Sequence, residues 1–159
     1  MDHHEMVDLI RGGVLGAGGV WADLGAGTGN FTWALRELLG AQGTIYAVDR
    51  DGKAIRSQRE LLAQASPGAP ITPMQADFTQ RLGLPPLDGA LLANSLHFVR
   101  DQAAAVGMIA GYLRPGGRVV QVEADRPHTD VLATIAGAMG APVAQLAGKD
   151  VFEIDEVKA

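Results

Sequence analysis

The chain contains no cysteine, which excludes disulfides and thiolate chemistry. It has no block of lysine and arginine, and its formal net charge is -5. Chain-wide electrostatic attraction to nucleic acid is therefore not expected. No apolar run approaches the ~20 residues of a membrane span. The start, Met1-Asp2-His3-His4-Glu5, is acidic and polar, unlike the basic opening of a signal peptide. These absences lead to the expectation of a cytoplasmic protein with no membrane or nucleic-acid partner. No internal repeat and no low-complexity linker is found, so residues 1–159 are read as one domain.

What is present points to a folded α/β protein. Hydrophobic residues make up 47% and charged residues 19%, a balance that favours a packed core over disorder. A chain of 159 residues buries roughly two-thirds of its unfolded surface. Glycine occurs 21 times, above the usual ~7%, and much of it falls between apolar segments.

One stretch organises the rest: Val20-Trp21-Ala22-Asp23-Leu24-Gly25-Ala26-Gly27-Thr28-Gly29-Asn30-Phe31. An apolar run ends in an acid, three glycines alternate, and a helical pattern follows. The order reads as strand, tight turn, helix. Glycines let the backbone turn sharply and let a ligand approach it, and the first amides of the helix point at that ligand.

The surrounding periodicity gives five strands alternating with helices. A helix is expected over residues 2–11, stopped by Gly12-Gly13, with His3 and His4 at its start as a solvated terminus or part of a lid. Strands are expected at Val20–Leu24, Thr44–Val48, Ile71–Ala76, Leu87–Ala93 and Arg118–Val122. Helices are expected at Asn30–Leu39, Gly52–Ala65 and Gln102–Leu113, the last capped by Asp101. Pro73 cannot donate to a sheet ladder, which puts strand three at an edge. Pro115-Gly116-Gly117 reads as a turn before strand five. The pattern predicts a Rossmann-like, doubly wound, mainly parallel sheet of order 3-2-1-4-5, with the glycine turn at its switch point.

Polar residues then fall at successive strand ends. Asp49 ends strand two, where a carboxylate can accept from both vicinal hydroxyls of a ribose. Asp77 and Phe78 end strand three, where an acid and a ring suit an exocyclic amine and a purine face. Asn94 ends strand four, followed by His97 and Phe98, and Glu123 ends strand five. Each has an ordinary alternative as a surface or structural residue. His3, His4, His97 and His128 show no metal-ligand spacing, so no metal is expected. No Gly-x-Ser-x-Gly elbow is present, and no Gly-Lys-Ser/Thr follows the glycines. A dinucleotide turn would place its third glycine at position 30, which is Asn30.

Asp23-Leu24-Gly25-Ala26-Gly27-Thr28-Gly29 resembles motif I of the class I S-adenosylmethionine-dependent methyltransferases. Ala47-Val48-Asp49-Arg50, Gln75-Ala76-Asp77-Phe78, Leu91 to Phe98 and Leu113-Arg114-Pro115-Gly116-Gly117 are similar to that family's later motifs, in the right order. The resemblance implies that the backbone from Gly25 through Ala26, Gly27, Thr28 and Gly29 approaches the methionine part of S-adenosylmethionine. It implies Asp49 on the ribose hydroxyls, Arg50 against the adenine, Asp77 on the adenine amine with Phe78 nearby, and Asn94 at the methionine end. Asp23 would shape the site and the amino-group contacts. The implied activity is methyl transfer by in-line displacement. The lack of an Asn/Asp-Pro-Pro-aromatic run, with the acidic charge, points to a small-molecule acceptor. His97 is the first candidate for a general base and His4 the second. The other readings are a non-catalytic binding module of this fold and an NAD-dependent oxidoreductase.

The family usually ends in a helix and two antiparallel strands. The tail here suggests a helix at Asp130–Met139, a short Ala-rich segment at Ala141–Gly148 and one strand within Asp150–Val157. The expectation is one or two C-terminal strands after strand five; a shortened tail with a strand missing would leave strand five as an edge, open to homodimer formation.

Overall fold

The computed structural model describes residues 1–14 and 16–122, with the backbone of two further strands at Val143–Leu146 and Val151–Ile154. Helix α1 spans His3–Arg11, β1 Gly19–Leu24, α2 Asn30–Leu39, β2 Gly43–Asp49 and α3 Gly52–Ala63. Strand β3 covers Ile71–Gln75, β4 Leu87–Ala93, α4 Gln102–Tyr112 and β5 Leu113–Val122, followed by β6 at Val143–Leu146 and β7 at Val151–Ile154.

The seven strands form one sheet of order β3-β2-β1-β4-β5-β7-β6. The first five are parallel, and the expected order 3-2-1-4-5 stands. Strand β3 is an edge, with Pro73 opposite Ala47. The chain must cross over between parallel strands, and the crossings supply the helices on both faces.

Alternation along the strands sorts side chains to two cores. Leu91 and Val120 pack with Trp21, Leu35 and Leu39 and with Val7 and Ile10 of α1. Ala90, Leu92 and Val119 pack on the other face with Val106 and Ile109 of α4. Helix α1 is held to the sheet by its apolar stripe, since Val7 and Ile10 are fully buried. Burial of each is worth ~1.5–3 kcal/mol. Its start is fixed by a capping box, in which Asp2 accepts from Glu5 N–H and the Glu5 side chain accepts from Asp2 N–H. His3 Nε2 meets Glu37 Oε2 of α2 at 2.7 Å.

One expectation changes. Pro115-Gly116-Gly117 is part of β5 and not a turn before it. The register steps from Leu87 opposite Leu113 to Gly89 opposite Arg118, and Gly116 has φ 78°. The extra residues form a bulge, which a glycine in the left-handed region permits while the strand continues.

The tail supplies the larger of the two expected strand numbers. Two terminal strands are present: β7 pairs antiparallel with β5, and β6 pairs antiparallel with β7. Strand five is therefore paired on both sides and is not an edge of the sheet. Strand β6 lies within the Ala-rich stretch that carried no alternation, because hydrogen bonding to β7 and not side-chain pattern sets it. The helix expected at Asp130–Met139, Glu123 and His128 lie outside the described residues. Among the described residues, no helix is long and apolar enough to cross a membrane.

Candidate functional site

The glycine turn is fastened to the end of β2 by its own backbone. Gly25 N–H and Ala26 N–H both donate to Val48 O, at 2.8 and 2.9 Å. Gly25 has φ 79°, and a Cβ there would lie 2.4 Å from Ser95 Cβ. Only glycine fits, in conformation and in space. Ser95 is itself anchored, its hydroxyl donating to Leu24 O at 2.8 Å. Gly27 has φ 57°, but a Cβ there would meet nothing within 4 Å. Its Cα is half-buried and faces open space.

Two clefts flank this turn. The first, of about 340 Å³, is lined by the turn at Gly25 and Gly27, by Asp49 and Arg50 after β2, by Asp77 and Phe78 after β3, and by Asn94, Ser95, Phe98 and Val99 after β4. The second, of about 460 Å³, shares Gly25, Gly27 and Asn94 with the first and adds Asp23, Ala26, Thr28 and Phe31, with Met1 and Met6. Together they form an elongated groove over the carboxyl ends of the strands, at the switch point between β1 and β4.

Asp49 sits at the centre of the first cleft. Its Oδ2 accepts from Gly27 N–H and its Oδ1 from Asp51 N–H, both at 2.8 Å. Each oxygen keeps acceptor capacity, so the carboxylate is aimed but not exhausted. Asp77 Oδ1 accepts from the Thr79 hydroxyl at 2.7 Å and from Thr79 N–H at 2.9 Å. Those bonds, with Arg50 nearby, hold the Asp77 carboxyl below the usual carboxylate range. Asn94 has φ 52°, a left-handed value rare outside glycine, and its N–H donates to Val122 O at 2.7 Å. This strained residue stands where both clefts meet.

Asp23 is fully buried at the end of β1. Its Oδ2 accepts from Thr32 Oγ1 at 2.6 Å, and its Oδ1 has no partner among the described residues. Burial, opposed by the Thr32 bond and reinforced by the nearby Asp49 charge, pushes its carboxyl up to about 7. An orphaned carboxylate oxygen at the wall of the second cleft is suited to a cationic group.

The structure thus brings together Asp23, the Gly25–Gly29 turn, Asp49, Arg50, Asp77, Phe78 and Asn94. It does not bring His97 into either cleft. His97 lies on the one-turn segment Leu96–Phe98 with its ring 4.0 Å from that of Phe98, and it is Phe98 that lines the groove. His4 is exposed on α1 and lines neither cleft.

Sequence reasoning missed Thr32, Gln58 and Ser95. Gln58 Nε2 donates to Gly27 O at 2.6 Å from α3, and the residue is 2% exposed. The available signal was a polar residue on an apolar helix stripe, Gln58 one turn beyond Ala54 and Ile55. Thr32 likewise lies among the buried positions of α2 with Ala34 and Leu35.

Residues 22–119 match the model of the methyltransferase domain family. The chain belongs to the class I S-adenosylmethionine-dependent methyltransferase family. It is 30% identical over 115 residues to the ubiquinone/menaquinone biosynthesis C-methyltransferase UbiE of Pasteurella multocida, covering 71% of this chain and 42% of that one. To the corresponding protein of a Marinomonas species it is 26% identical over 145 residues, covering 82% of this chain and 57% of the relative. The chain spans about half the length of these curated relatives. Its fold is similar to that of a SAM-dependent methyltransferase from Aquifex aeolicus, with TM-score 0.80 at 14% identity, covering 99% of this chain and all of the other.

Proposed function

We propose that the groove binds S-adenosylmethionine and that the chain directs its methyl group to a small-molecule acceptor. The observation that carries this reading is the convergence of Gly27, Asp49, Asp77 and Asn94, from four different segments, on one cleft at the sheet's switch point. The residues suit the group. Gly27 offers a bare backbone to close approach, and Asp49 has lone pairs left for two ribose hydroxyls. Asp77 and Phe78 stand side by side for an adenine edge and face. Asp23, buried at the wall of the second cleft, keeps an unpartnered carboxylate oxygen that suits a cationic amine.

When bound, the cofactor supplies a methyl group on a cationic sulfur, already activated for displacement. The work of the chain is then to hold that group and exclude water from it. Asp49 and Asp77 fix the nucleoside end. The turn and Asp23 fix the amino-acid end, and Asn94 marks the boundary with the acceptor. The carboxylates of both clefts also favour a cationic ligand. No histidine lines either cleft among the described residues. The arrangement therefore favours an acceptor that is nucleophilic without help from His97.

The relatives named as C-methyltransferases of quinone biosynthesis put phenolic and quinol-type acceptors first in an activity panel. The test is methyl transfer from S-adenosylmethionine across such a panel, preceded by binding of S-adenosylhomocysteine. Binding without turnover on any acceptor would favour the non-catalytic alternative.

A further inference from the structure

Gly27 is gripped on both sides of its Cα, through the two peptide groups that flank it. Its N–H donates to Asp49 Oδ2 at 2.8 Å, and its C=O accepts from Gln58 Nε2 at 2.6 Å. Gln58 reaches the turn from α3, and its Cγ would stand 3.3 Å from a Cβ at Gly29. The side chain thus lies under both glycines of the turn.

Gln58 is an expensive way to fill that space. It is 2% exposed, and its Oε1 is buried with no partner among the described residues. A buried unsatisfied amide oxygen costs stability that an apolar side chain of similar length would not. The single bond to Gly27 is what the amide accomplishes there.

We infer that Gln58 is a positioning residue for cofactor binding: by holding the carbonyl of the Gly27–Thr28 peptide it fixes the left-handed turn at Gly27, and so keeps the preceding Ala26–Gly27 N–H on the Asp49 carboxylate, which faces the ribose hydroxyls. The inference rests on the proposed cofactor site. Gln58 touches no ligand itself. It acts through Gly27, linking helix α3 to the acid at the end of β2.

The substitution Gln58→Met keeps length and removes both the donor and the orphaned oxygen. The expected result is an unchanged or raised melting temperature together with S-adenosylhomocysteine affinity weakened about tenfold, the scale of one hydrogen bond. A residue that merely packs would leave affinity unchanged on this substitution.

A double-mutant cycle adds the second readout. If Gln58 acts through Asp49, Gln58→Met should weaken binding less than about threefold in an Asp49→Ala background. Unchanged affinity in the single variant, or full additivity in the cycle, would overturn the inference while leaving the cofactor site standing. Absence of S-adenosylhomocysteine binding in the wild type would overturn both.

Should Gln58→Met fail to fold, the wild-type protein still decides. The side-chain amide protons of Gln58 should exchange with solvent more slowly than those of the exposed Gln64. Equal exchange would show that the grip on Gly27 does not exist.

Discussion

Thr32 Oγ1 donates to Asp23 Oδ2 at 2.6 Å in a fully buried pair, while Asp23 Oδ1 has no partner among the described residues. The acid is therefore half satisfied, and its carboxyl is pushed up to about 7. In the unfolded chain it would titrate near the ordinary ~3.9. Between these values the folded state binds the extra proton, so stability falls as pH rises from about 4 to about 7 and levels off above. A cationic amine placed against Asp23 needs the ionised form. Affinity for S-adenosylhomocysteine should accordingly rise from pH 6 to pH 8, with proton release on binding. Calorimetry in buffers of different ionisation enthalpy measures that release. In Asp23→Asn the slope should flatten, and an unaltered slope would remove Asp23 from the amine contact.

Two glycines of the turn should respond differently to the same substitution. Gly25→Ala meets Ser95 Cβ at 2.4 Å as well as a φ of 79°. Overpacking and strain together should cost about 2–4 kcal/mol of stability. Gly27→Ala has only its φ of 57° to contend with, about 1 kcal/mol, and otherwise open space. It should fold well and lose cofactor affinity, because the methyl occupies the approach to the backbone. Thermal melts beside binding isotherms separate the two effects.

Much of this site was legible in the sequence because it rests on strand ends. Asp49, Asp77 and Asn94 close apolar runs, and a parallel sheet brings such ends together whatever the packing details. Pro73 revealed an edge because its missing N–H is a local property. The supporting bonds were less visible. Gln58 and Gly27 are 31 residues apart, and only the crossover that lays α3 beside the turn makes them neighbours. The strand Val143–Leu146 was hidden for a similar reason, since its partner Val151–Ile154 defines it. Pro115-Gly116-Gly117 carries the composition of a turn and is used as a bulge, a distinction set by pairing with β4.

Helix α1 should matter to the groove through its packing. Ile10 is fully buried against the face that carries Trp21, Leu35 and Val120. Ile10→Ala should cost about 2–5 kcal/mol in denaturant unfolding. Met6, on the same helix, lines the second cleft. Met6→Ala should leave stability less affected than Ile10→Ala and weaken S-adenosylhomocysteine binding, read by calorimetry, since Met6 shares the second cleft with Asp23 and the turn.

Phe98 is 78% exposed while lining the first cleft, an unusual placement for a large aromatic ring. Phe98→Ala should change stability by less than about 0.5 kcal/mol, as at other exposed positions. It should still weaken S-adenosylhomocysteine binding, since Phe98 lines the cleft that holds Asp49 and Asp77. Equal affinity in the variant would make Phe98 a bystander to the site.

The central claim is that the strand-end carboxylate Asp49 holds the ribose of S-adenosylmethionine beside the glycine turn. Isothermal calorimetry with S-adenosylhomocysteine on the wild type and Asp49→Ala tests it most directly. Binding is expected in the micromolar range, weakened by about 1–3 kcal/mol in the variant, the scale of a lost charge-assisted hydrogen bond. No binding to the wild type at millimolar ligand, or the same affinity in both proteins, would contradict it.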